Sequence, residues 1–180
     1  MNLQIITIDG PSGVGKGTLA LSLANHLCLN YLNSGSIYRA VAYLSEIENI
    51  NTDNIKEIIS LISILNIRFI TANKEFKIIC NDKDITEEIN NEKCATRASI
   101  ISSNIDVRKS LIGLQRSFYK EPGLIAEGRD MGSVIFKNSQ IKIFLTASNE
   151  IKAQRRHKQL KQKGINVSLP HLIEELDNRD

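Results

Sequence analysis

The sequence has few cysteines. Cys28, Cys80 and Cys94 are scattered and odd in number. They form neither a disulfide framework nor a zinc motif, which points to a reducing setting such as the cytoplasm. Cys28 ends an apolar helical stretch and reads as a small core residue. No apolar run is long enough to cross a bilayer, so no membrane association is expected. The chain enters a strand-like stretch from its first residues, so no secretory leader is expected. The positive excess is small, +3 at neutral pH. It is too small to argue for a nucleic-acid partner and suits an anionic small-molecule substrate. No internal repeat, low-complexity linker, nucleophile or metal-ligand cluster stands out.

What is present is an ordinary globular composition, 42% hydrophobic and 24% charged over 180 residues, enough for one domain over 1–180 with room for an inserted subdomain. The organising stretch is Gly10-Pro11-Ser12-Gly13-Val14-Gly15-Lys16-Gly17-Thr18. Leu3, Ile5, Ile6, Thr7 and Ile8 before it read as a buried strand, and Leu19, Leu21, Leu23, Ala24 and Leu27 after it recur at helical spacing. A strand, a glycine-rich turn with Lys, and a helix start make a phosphate-binding loop. Successive amides converge on one concavity, and the helix N-terminus adds partial positive charge. Lys16 supplies a mobile charge for outer phosphates. An ordinary glycine-rich turn is the competing reading, and the flanking elements disfavour it. Gly17 stands where such loops commonly carry a metal-binding Ser or Thr. Thr18, one later, suits an inner phosphate.

Leu29–Leu32 reads as extended, and Ser34 as the N-cap of a helix carrying Arg39. A helix start with an arginine suits a second anion, although Arg39 alone reads as a solvated side chain. Asp53–Leu65 predicts a helix capped near Asp53. Ile67–Thr71 and Phe76–Cys80 alternate apolar and polar residues around Asn73-Lys74, which predicts a hairpin. Thr86 predicts a short helix start, and 93–103 and 106–120 two further helices, the last ended by Glu121-Pro122-Gly123. The hairpin breaks the strand–helix alternation, which places roughly residues 63–105 in an inserted subdomain. Leu124–Ala126 is a strand running into Glu127-Gly128-Arg129-Asp130, where open parallel sheets bind ligands. Ile141–Leu145 is another strand. Residues 150–163 form a basic helix with Arg155, Arg156, His157, Lys158, Lys161 and Lys163, and 169–179 a further helix. A basic helix is usually a solvated face; beside a phosphate loop it also suits a lid. The fold class is α/β, a parallel sheet with helices on both faces. No apolar stripe is left over for a partner, so a monomer is expected.

The Gly-Lys-Gly-Thr ending resembles the nucleoside monophosphate kinases. With Ser34-Gly35-Ser36-Ile37-Tyr38-Arg39, Gly128-Arg129-Asp130-Met131-Gly132 and Lys142-Ile143-Phe144-Leu145, the whole chain resembles the bacterial cytidylate kinases. The resemblance implies a phosphate-loop kinase fold whose hairpin insert binds the nucleoside monophosphate, and a lid over roughly 150–180. It implies transfer from ATP to CMP or dCMP with Mg²⁺, the metal held mainly by phosphates and water. By position, Gly10 to Thr18 would bind ATP phosphates. Ser34, Arg39, Arg129 and Arg179 would engage the CMP phosphate and sugar. Ser99, Arg108 and Asp130 would read cytosine, and Arg155 and Arg156 would be lid arginines near ATP. Asn33 stands where that family usually carries Asp, and its members continue past the position of Asp180 with more lid residues, a strand and a helix. Two alternatives remain: a phosphate-loop kinase of another acceptor such as UMP or AMP, and a nucleotide-binding module without transfer activity.

Overall fold

The computed structural model describes residues 4–72, 75–162, 164 and 166–177. Leu3, the Asn73–Lys74 turn, Lys163 and Arg179 lie outside the described residues. Four parallel strands make the central sheet: β1 (Gln4–Asp9), β2 (Asn30–Asn33), β6 (Gly123–Gly128) and β7 (Ile141–Phe144), in the order β2-β6-β1-β7. A separate antiparallel sheet holds β3 (Ile67–Ala72), β4 (Glu75–Cys80) and the short β5 (Lys83–Asp84). The helices are α1 (Lys16–Leu27), α2 (Ser34–Ile47), α3 (Ile55–Ser63), α4 (Glu92–Ser103), α5 (Ile105–Arg116), α6 (Asn149–Gln162) and α7 (Leu169–Asp177). A single π-helical turn, Met131–Ile135, follows β6.

Strand side chains alternate between the two faces. Ile6, Ile8, Tyr31 and Ile125 pack with Ala20 and Ala24 of α1 on one face. Ile5, Leu32, Leu124 and Ala126 pack with residues of α2 and α5 on the other. Both faces are covered, which is why these strands read as apolar runs. The second core continues through Ile62, Ile67, Ile78, Ile85, Cys94 and Ile101, so the antiparallel sheet and α4 share it. Phe76 of β4 packs against both cores and meets the Tyr31 ring edge-on, with centroids 4.9 Å apart.

Several local expectations change. The cap of α2 is Asn33, whose side chain accepts from the Ser36 amide at 2.9 Å; Ser34 is already helical and buried. Asn54, rather than Asp53, caps α3. Cys28 is exposed at φ 53°, where α1 ends in the left-handed conformation, and contributes no core contact. Thr86 begins turns and no helix. α5 stops at Arg116, and turns carry the chain on. β7 leaves Ile141 and Phe144 exposed, the latter at 69%, so apolar side chains do remain uncovered on that edge.

Candidate active site

Parallel register sets Asp9 beside Gly128 and Phe144, and Asn33 beside Glu127. The carboxyl ends of all four strands therefore line one edge, and the glycine loop leaves β1 at that edge. Gly10 sits at φ 148°, and a Cβ there would come 2.1 Å from the Leu145 carbonyl oxygen. Only glycine lets β1 turn into the loop so close to the chain after β7.

The start of α1 differs from the other capped helices. Asn33, Asn54, Asn91 and Asn104 each bond a first-turn amide of α2, α3, α4 and α5. α1 is preceded by Gly15 at φ 90°, with no side-chain cap. Its first amides are without a side-chain cap, and an anion is the partner such a terminus favours. Lys16 Nζ donates to the Pro11 carbonyl at 2.7 Å, folding the ammonium over the loop. Burial lowers its pKa and Arg129 adds to the fall, while Glu127 and Asp9 oppose it. From α6, Arg155 donates to the Val14 carbonyl at 2.6 Å and Lys152 borders Gly13. Arg156 pairs with Glu92 at the start of α4. Both expected lid arginines thus reach from α6 to other elements.

The second predicted cluster is spread over α2, α4, α5 and the end of β6. Arg108 of α5 forms an ion pair with Asp130, donates to the Ser102 carbonyl at 3.3 Å and lies over the Tyr38 ring at 6.0 Å. Asp130 lies just past β6, after Arg129, and the structure brings Asp130 and Arg108 together. Ser99 is exposed on α4. Arg39 donates to the carbonyls of Ile89 at 2.7 Å and Asn91 at 3.3 Å, tying α2 to the segment before α4. The Ser34 hydroxyl is buried and donates to Gln115 Oε1 at 2.8 Å. Arg129 is exposed just past β6, where its charge acts on Lys16.

Three residues at this edge carry no individual role in the sequence reading, although Glu127 stands in the stretch read there as ligand-binding. Asp9, buried, accepts from the Met131 and Gly132 amides at 2.8 Å each, bracing the turn after β6 against β1. Tyr31 donates to Glu127 Oε1 at 2.5 Å. Burial raises the pKa of both, and Lys16 and the Tyr31 hydrogen bond pull Glu127 back down. The available signal was positional: each stands at or near a strand's carboxyl end.

Among the described residues no group of three or more His, Cys, Asp or Glu could hold a metal. The loop offers amides and an ammonium, which are partners for phosphate oxygens rather than for a cation. That donor set fits Mg²⁺ arriving on the phosphates of its nucleotide, carried by phosphate and water oxygens.

A family model described as cytidylate kinase matches residues 6–180. The chain is 43% identical over 178 residues to a cytidylate kinase of Methylococcus capsulatus, covering 99% of this chain and 80% of that protein. It is 42% identical over 180 residues to one of Nitrosococcus oceani, covering 99% and 79%. It is 43% identical over 177 residues to one of Shewanella loihica, covering 98% and 77%.

Proposed function

The chain belongs to the cytidylate kinase family, and on that premise we propose that it transfers the terminal phosphoryl group of ATP to CMP and dCMP. The observation that carries the reading is one sheet edge holding two things together. One is a helix N-terminus without a side-chain cap, with Lys16 folded over it. The other is the pair of Arg108 on α5 with Asp130, just past β6.

In this reading Gly10 to Thr18 cradle the donor phosphates through amides, and Lys16 follows the charge as it moves. Mg²⁺, when bound with ATP, neutralises phosphate charge. Residues of roughly 63–105 form the acceptor subdomain. Arg39, Arg129 and Arg179 bring the acceptor phosphate into line, with Ser34 beside them. Ser99, Arg108 and Asp130 face the base. Arg155 and Arg156, on a lid of roughly 150–180, stabilise the transferring group and exclude water. Phosphoryl transfer asks for positioning and charge compensation, not a covalent nucleophile. One copy of the chain supplies every group in this scheme, in a cytoplasmic setting. No helix of the described residues is long and apolar enough to cross a membrane.

The test is ADP release from ATP and Mg²⁺ across a panel of nucleoside monophosphates. Release that depends on CMP or dCMP, and is much slower with UMP, AMP or no acceptor, is expected. Release indifferent to added CMP, or fastest with another acceptor, overturns the reading.

A further inference from the structure

Gln115 is a buried amide, 1% exposed, on the inward stripe of α5. Val107 and Leu111 precede it on that stripe at intervals of four residues, and both are fully buried. An apolar side chain at the next step packs without the cost of burying an amide, so this side chain is accounted for by what it holds. Its Nε2 donates to the Leu111 carbonyl at 3.3 Å, and its Oε1 accepts from the Ser34 hydroxyl at 2.8 Å. A carbonyl only accepts, which settles the orientation of the amide and commits the one hydroxyl proton of Ser34 to Gln115.

Ser34 opens α2 and is itself buried. On its other side stands the end of β6, where a Cβ on Gly128 would lie 3.2 Å from the Ser34 Cβ. The start of α2 is thus held between α5 and the strand that leads to Arg129 and Asp130. Tyr38 lies about one turn further along α2, and Arg108 about two turns back along α5. The Arg108 guanidinium lies over the Tyr38 ring, 6.0 Å from its centre. The two helices therefore meet at two levels, and the Gln115–Ser34 level is a direct, buried hydrogen bond. In the scheme above, Arg39 of α2 takes the acceptor phosphate and Arg108 of α5 faces the base. The two ends of one nucleotide are gripped from different helices, so the span between the grips depends on how those helices are joined.

We propose that Gln115 is a positioning residue for the acceptor site of the transfer inferred above, on which this proposal rests: by holding the Ser34 hydroxyl it fixes α2 against α5, and with them the span between Arg39 and Arg108. ATP, cradled by the loop between β1 and α1, does not depend on that joint.

The test replaces Gln115 by Met, which keeps the length of the side chain and removes both hydrogen bonds. Binding of CMP and of ATP is measured separately by calorimetry, and KM for each by steady-state kinetics. Gln115→Met raises Kd and KM for CMP about fivefold, the worth of one net hydrogen bond, and leaves both values for ATP unchanged. Ser34→Ala also weakens CMP, and adding Gln115→Met to it weakens CMP no further, because the two changes remove one bond. In the wild type, the NMR signal of the Gln115 carboxamide, assigned from its backbone, shifts on addition of CMP and stays in place with ATP. That measurement decides the matter if Gln115→Met fails to fold. Lost stability with unchanged CMP affinity, equal weakening of both nucleotides, additive effects in the double variant, or a carboxamide signal blind to CMP overturns the proposal. A wild type that binds both nucleotides without transfer between them overturns the proposed function instead, while CMP binding still judges Gln115. A wild type that does not bind CMP overturns both.

Discussion

Arg108 and Asp130, 22 residues apart, meet as an ion pair between the first turn of α5 and the segment just past β6, both only partly exposed. The carboxylate is therefore paired with Arg108 of α5 rather than with its sequence neighbour Arg129. A carboxylate accepts hydrogen bonds and cannot donate them. Cytosine presents an N4 amine where uracil presents the O4 acceptor, so an oriented carboxylate favours cytosine.

The first prediction follows from that pair. Asp130→Asn adds a donor and loosens the hold of Arg108. Discrimination between CMP and UMP should fall by about 1–3 kcal/mol, as for a lost base-edge contact. The measurement is kcat/KM for each acceptor in wild type and variant. If both fall by one factor and their ratio stays constant, Asp130 serves the fold and does not read the base.

Lys16→Ala should nearly abolish transfer while leaving the fold intact, because Lys16 is only partly buried and its hydrogen bond is to a loop carbonyl. Loss of a preorganised charge at the transferring group commonly costs ~3 kcal/mol or more. Steady-state turnover of a variant with wild-type circular dichroism checks this. Turnover close to wild type would sink the loop's assignment.

Arg39→Lys should weaken the acceptor site selectively. An ammonium cannot reproduce the fork of a guanidinium that already spends one nitrogen on the Ile89 and Asn91 carbonyls. The KM for CMP should rise by about tenfold, roughly 1.4 kcal/mol, with the KM for ATP little changed. Equal weakening of both nucleotides would show that Arg39 acts by tying α2 to the segment before α4.

Asp9→Ala tests the brace between β1 and the turn after β6. It leaves the Met131 and Gly132 amides without their partner in a buried place. Leaving buried donors unsatisfied costs about 1–3 kcal/mol each. Thermal or urea denaturation should show a loss of about 2 kcal/mol or more. Stability within a few tenths of wild type would mean that water replaces the carboxylate at no cost.

The loop was legible in the sequence because its chemistry is local. Gly10 to Thr18 lie within nine consecutive positions, and the apolar periods on either side change from strand to helix around them. The parallel sheet and the hairpin were equally legible, since alternation and apolar runs are properties of short stretches. Helix starts were misread by one residue at Ser34 and Asp53, because neighbouring Asn, Ser and Asp are interchangeable as caps until the chain's direction is known. Cys28 looked like core because its stretch is apolar; its left-handed backbone turns it outward.

What the sequence by itself determined was the strand, glycine-rich loop and helix start in succession, the α/β class and the resemblance that matched the family. What only the tertiary structure decided was which distant side chains meet at the carboxyl edge of the sheet. Register alone sets Asn33 beside Glu127 and Asp9 beside Gly128, and no local pattern encodes register between strands so far apart in the chain. The Tyr31–Glu127 bond and the Asp9 brace depend on it, and the Arg108–Asp130 pair depends on where α5 packs. Their energies arise from burial and charge that the folded chain alone brings together.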